Sequence, residues 1–109
     1  MINEKKLREV MLELGHRDNV LGTGYLQIGA ALYERGMSMT KELYPAIAKA
    51  ANTTASRAER AMRHSITTAW ERGDLEAQRR YFGYTINPQT GVPTVGEYLA
   101  RIAVICRED

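Results

Sequence analysis

The stretch LYPAIAKAANTTASRAERAMRHSI, Leu43 to Ile66, decides how this chain folds. Leu43, Ile47, Ala48 and Ala51 recur at three- and four-residue spacing, which predicts a helix capped by Thr40. Pro45 falls inside that segment, so the helix is expected either to kink there or to start just before it. Asn52, Thr53 and Thr54 interrupt the pattern with residues that favour turns and N-caps. Beyond them a longer helix is expected from about Ala55 to Arg72, stopped by Gly73. A short helix, a three-residue turn and a second helix, with small side chains where the two must pack closely, is the layout of a helix-turn-helix. Plain helical hairpins share this layout, so it does not by itself establish DNA binding.

The side chains of the second helix say more. At about 100° per residue, Ala58, Ala61, Met62, Ser65, Ile66 and Ala69 fall on one arc, and Ser56, Arg57, Arg60, Arg63, His64 and Thr67 on the opposite one. A solvated helix face normally alternates acids and bases for pairing at i,i+4, whereas this one holds three arginines at every third position, with Glu59 and Glu71 at its margins. Arginine's planar fork grips guanine O6 and N7 or a phosphate in two-point contacts that lysine cannot reproduce. Arg60 is suited to a guanine, and Glu59 to accepting a hydrogen bond from a cytosine amino group. A carboxylate facing phosphates is unfavourable unless it reads a base, so Glu59 favours sequence-specific binding. The plainer alternative pairs Glu59 with Arg63 on a solvated face. Thr53 or Thr54 is expected to cap this helix and to lie near a phosphate.

Working outward, the rest of the chain also reads as helical. Asn3 caps a first helix to about Leu14, with Gly15 as its stop, and His16 to Thr23 reads as a polar loop. A second helix is expected from about Gly24 to Gly36. After the two helices of the central motif, Asp74 caps a fifth through about Tyr81. Phe82 to Pro93 reads as a loop with a short extended piece at Tyr84 to Ile86, and Thr94 opens a last helix with Tyr98, Leu99, Ile102, Ala103 and Cys106 on its inner face. The expectation is an all-α, six-helix, bundle-like domain with the helix-turn-helix in helices 3 and 4.

Composition agrees with one ordinary domain: 109 residues, 44% hydrophobic and 26% charged, too small for two lobes around a large cofactor cleft. The net charge of +2 does not announce a nucleic-acid binder, so the distribution of arginine carries that argument. No apolar run approaches the length needed to span a bilayer, and the first residues lack a signal-peptide apolar region. A single cysteine, Cys106, excludes an internal disulfide and a thiolate-rich zinc site. A cytoplasmic protein with no membrane association, cofactor or metal is expected.

Other sites are weaker. His16 and Asp18 lie two apart but have no second histidine or thiolate nearby, so a polar loop outweighs a metal site. Gly22-Thr23-Gly24 lacks the third glycine and the preceding strand of a dinucleotide fingerprint, and reads as the entry to a helix. His64 beside Ser65 or Ser56 on one exposed helix lacks the buried acid and oxyanion hole of a hydrolase. Trp70, Tyr81, Phe82 and Tyr84 read as core aromatics rather than as a stacking platform for single strands. No catalytic residue is assigned.

The stretch TKELYPAIAKAANTTASRAERAMRHSI, Thr40 to Ile66, together with AWERGDLE, FGYT and PTVGEYLARIA, resembles the C-terminal DNA-binding effector domain of the stage-zero sporulation response regulators (sporulation protein A) of endospore-forming Firmicutes. Weaker similarity at Glu13 to Gly15 and Gly24 to Leu32 extends it over almost the whole chain. The resemblance implies a transcription regulator that binds short promoter boxes of the TGTCGAA kind through the major groove. It implies base reading by Arg57, Glu59 and Arg60, and phosphate or flanking contacts by Ser56, Arg63 and His64. With Thr53, Thr54 and Thr67 these form the expected double-stranded DNA site. The RNA polymerase sigma subunit and a homodimer on tandem boxes are the further expected partners. Two departures stand out: the loop between Gly15 and Tyr25 is about two residues longer than the family's, and the tail from Val104 to Asp109 is shorter and less basic. The family's phosphoacceptor receiver domain has no counterpart, so residues 1–109 are expected to be a single effector domain, excised or standing alone. The competing reading is a non-catalytic interaction module that modulates a full-length regulator or RNA polymerase. Such a module has no need of Arg57, Arg60 and Arg63 together.

Overall fold

The computed structural model describes residues 2–17, 20–83 and 91–107. Among these residues six α-helices follow one another: α1 (Glu4–Glu13), α2 (Leu21–Leu32), α3 (Tyr44–Ala51), α4 (Ala55–Arg72), α5 (Leu75–Phe82) and α6 (Val95–Ile105). No strand occurs among the described residues; Ile2 and Arg107 form a lone antiparallel bridge. The all-α, six-helix reading is therefore correct, and the helix-turn-helix is α3, its turn and α4.

Local signals set most of the boundaries. The side chain of Asn3 accepts from the Lys6 N–H at 3.0 Å to start α1, and Asp74 accepts from Glu76 at 2.8 Å to start α5. Thr94 and Glu97 form a reciprocal capping box at the head of α6, at 3.0 and 3.1 Å. Gly15, with φ +101°, ends the first helix in the left-handed region that a side chain disfavours.

Three expectations need correction. α2 begins at Leu21, not near Gly24, and has no side-chain cap. Its first turn forms because it lies against α4, where a Cβ on Gly22 would come within 2.0 Å of the Ala61 carbonyl oxygen. Tertiary contact thus overrides glycine's poor helix propensity. α2 also ends earlier, at Leu32; Tyr33 is already extended, and Gly36 at φ +86° serves the turn closed by Met37 N–H to Glu34 carbonyl. Finally, Ser38 rather than Thr40 is the cap before α3. A wide π-helical turn, Met39–Leu43, comes first, with Ser38 accepting from Lys41 N–H and Glu42 accepting from Ser38 N–H. α3 then starts just before Pro45, whose missing N–H does little harm in a first turn. The extended piece read at Tyr84 to Ile86 lies outside the described residues.

The core gathers α1, α2, α4 and α6 around Met11, Leu26, Met62, Ile66, Tyr98 and Leu99, all at most 2% exposed. Trp70 and Phe82 meet edge to face at 5.1 Å, and Phe82 stacks on Tyr98 at 5.5 Å. Of the four aromatics read as core, Phe82 is buried, Trp70 and Tyr81 pack half-buried against the core with the Tyr81 hydroxyl donating to Glu13 at the surface, and Tyr84 lies outside the described residues. Cys106 is fully buried at the end of α6, and burial raises its thiol pKa. Among the described residues no helix is long and apolar enough to cross a membrane, and no group of three or more His, Cys, Asp or Glu is placed to hold a metal.

Candidate nucleic-acid interface

The turn of the helix-turn-helix is built by its own residues. Asn52 takes a left-handed conformation, φ 55° and ψ 51°, which asparagine tolerates better than most side chains. The chain then closes back through Thr53 N–H to the Ala48 carbonyl at 2.9 Å. Of the two candidate threonines, Thr54 is the cap, its hydroxyl oxygen accepting from Arg57 N–H at 3.2 Å. The Thr54 hydroxyl proton remains available to donate outward. Thr53 is half-buried.

α4 presents the two faces drawn from its sequence. Ala58, Met62, Ser65, Ile66 and Ala69 are buried, with Ala61 at the margin under Gly22. Ser56, Arg57, Arg60, Arg63 and His64 are exposed on the other side. Thr67 is half-buried and donates its hydroxyl proton to the Arg63 carbonyl at 2.9 Å, so it is engaged with its own helix.

The outward face is divided lengthwise. On the α3 side, Glu59 pairs with Arg63 at 3.7 Å, as the plainer sequence reading required; Arg63 keeps 64% of its side chain exposed, and such a pair contributes little energy. Tyr44, at the head of α3, belongs to this side: burial raises its phenol pKa first, and the Glu59 carboxylate raises it further, against a smaller lowering by Arg63. On the α2 side, Arg57, Arg60 and His64 line a groove of about 320 Å³ whose opposite wall is Val20, Leu21 and Gly22. Among the described residues no ion pair engages Arg57 or Arg60. One helix thus carries a partly neutralised flank and one that no described carboxylate pairs.

Over residues 7–105 the sequence matches the model of the family described as Sporulation initiation factor Spo0A C terminal. The chain belongs to this family. It is a DNA-binding effector domain of the Spo0A sporulation-regulator type, and its helical architecture agrees with that assignment.

Two features of this Spo0A-type domain escape a reading of the sequence. Tyr44 approaches Glu59 only because α3 and α4 cross, and no periodicity within either helix links them. Leu21 is 66% exposed on the lip of the cationic groove, in a segment that reads as loop until α2 is seen to start there. The loop read as polar also proves partly interior: His16 is 4% and Thr23 2% exposed.

Proposed function

We propose that this domain is a sequence-specific transcription regulator of double-stranded DNA, with α4 in the major groove of a TGTCGAA-like box. The observation that carries the reading is the exposed Arg57 and Arg60, without an ion pair among the described residues, in the first two turns of the second helix of a helix-turn-helix. Side chains at that place on a recognition helix meet base edges. Arg57 and Arg60 read guanines, and Glu59 reads a cytosine amino group on exchanging its long Arg63 contact for the base. Thr53, Thr54, Ser56, Arg63, His64 and Thr67 hold the strands on either side, helped by the backbone N–H groups at the start of α4. Residues 1–109 act as a single effector domain in the cytoplasm, without catalysis. Bound copies address the sigma subunit of RNA polymerase and, on tandem boxes, each other.

Selection of binding sites from random duplexes tests this reading. Enrichment of one short box, bound with an affinity that falls steeply from low to moderate salt, is the expected result. Recovery of no common sequence would overturn the specificity and favour the competing reading as an interaction module.

A further inference from the structure

The groove between α2 and α4 is lined by two guanidinium groups and an imidazole, without a carboxylate among its described lining residues. Its far lip is Leu21, a large apolar side chain that is 66% exposed in the first turn of α2. Gly22 locks this turn against Ala61, midway between the turn that holds Arg57 and the one that holds Ser65. Leu21 therefore stands at a fixed distance across from Arg57, Arg60 and His64 rather than on a mobile loop. A surface that is cationic on one wall and apolar on the other suits a polymer with alternating anionic and apolar parts. The sugar–phosphate backbone of DNA is such a polymer, with a phosphate for the α4 wall and the carbon face of a deoxyribose for leucine.

We propose that this groove seats the sugar–phosphate backbone of one strand of the box, with Leu21 against a deoxyribose and the adjacent phosphate accepting a hydrogen bond from His64, while the guanidinium groups of Arg57 and Arg60 reach past the strand to the bases. The proposal rests on the reading of α4 as the helix in the major groove and extends the interface to α2. A strand running beside α4 then passes between two elements of the protein. Leu21 contributes affinity without reading sequence, because every nucleotide carries the same sugar.

The test uses the whole chain, a short duplex carrying a TGTCGAA box, and the variants Leu21→Glu and Leu21→Gln. An acidic residue is favourable in the first turn of a helix, and Leu21 is exposed, so both variants are expected to unfold thermally close to wild type. Leu21→Gln should bind the duplex within about threefold of wild type. Leu21→Glu, which brings a carboxylate to the phosphate, should bind at least about fivefold more weakly than Leu21→Gln. Replacing single phosphates beside the box with neutral methylphosphonates should relieve that loss at one or two adjacent positions and nowhere else. Equal binding by Leu21→Glu and Leu21→Gln, or a loss that no methylphosphonate relieves, would overturn the groove assignment while leaving wild-type box binding intact. Failure of the wild-type chain to bind any duplex would instead overturn the reading of α4 and this proposal together. If the groove serves an acidic polypeptide, the duplex titrations will show no difference between the two variants, which is the first of the overturning results.

Discussion

The imidazole of His16 and the phenol of Tyr98 meet at 2.7 Å, Nε2 to Oη, in the interior of the protein, with the rings edge to face. On its other side His16 Nδ1 lies 2.9 Å from Ser65 Oγ, which in turn is 3.2 Å from Thr23 Oγ1. The α1–α2 connection, α2, α4 and α6 are thus tied at one polar node on the inner face of α4. No buried side-chain polar atom among the described residues lacks a partner.

This node makes stability depend on pH. Burial lowers the His16 pKa from 6.5 to about 4, because the charged ring is poorly solvated in the interior. The unfolded chain therefore binds a proton between those values that the folded chain does not. The stabilisation is complete above about pH 6.5 and declines as pH falls towards 4, by a total of about 3 kcal/mol. Urea unfolding of wild type and His16→Gln between pH 7 and pH 4.5 checks this. The difference between the two proteins should shrink with acidification; a constant difference would remove the assignment.

Gly22 and Gly24 lie two residues apart in the first turns of α2 but should respond oppositely to alanine. A Cβ at Gly22 meets backbone, the Ala61 carbonyl oxygen at 2.0 Å, so α2 must move off α4, and Gly22→Ala should destabilise by about 1–3 kcal/mol or more. A Cβ at Gly24 has nothing within 4 Å, so Gly24→Ala should stabilise by about 0.5–1 kcal/mol. Thermal unfolding of both variants provides the comparison, and a destabilised Gly24→Ala would contradict the described helix start.

Thr54→Ala should lower stability by about 1 kcal/mol, since its hydroxyl oxygen accepts a hydrogen bond from the Arg57 N–H in the first turn of α4. Thr53→Ala should have a smaller effect, because the turn contact of Thr53 is made by its backbone. Equal losses in chemical denaturation would show that the cap is shared.

Where the sequence predicted well, the signal was local. α4 runs over the expected residues because a capping threonine, an uninterrupted 3.6-residue pattern and Gly73 agree, and the arginine face follows from the same wheel. The start of α2 was not legible, because Gly22 and Gly24 argue against helix until Ala61 is known to lie beneath. His16 reads as a loop residue because its partners, Ser65 and Tyr98, are far away in sequence. Leu21 carries no pattern of its own; its place across from Arg57 and Arg60 arises only from helix packing. The Glu59–Arg63 pair was legible as an i,i+4 spacing, whereas the approach of Tyr44 to it was not.

Base reading by the first two turns of α4 is tested most directly by comparing Arg60→Ala with Arg63→Ala. Both variants remove one exposed positive charge from the same face. Arg60 faces the α2 side with no ion pair among the described residues, whereas Arg63 lies a turn further along, against Glu59. The measurement is the affinity of each variant for the box and for its single-base substitutions, at several salt concentrations. Arg60→Ala should lose about 1–3 kcal/mol on the box and relax the preference at one guanine. Arg63→Ala should weaken every sequence alike and reduce the salt slope by about one unit. Two variants with the same loss on every duplex and an undiminished sequence preference would contradict the proposed docking of α4, even with DNA binding itself intact.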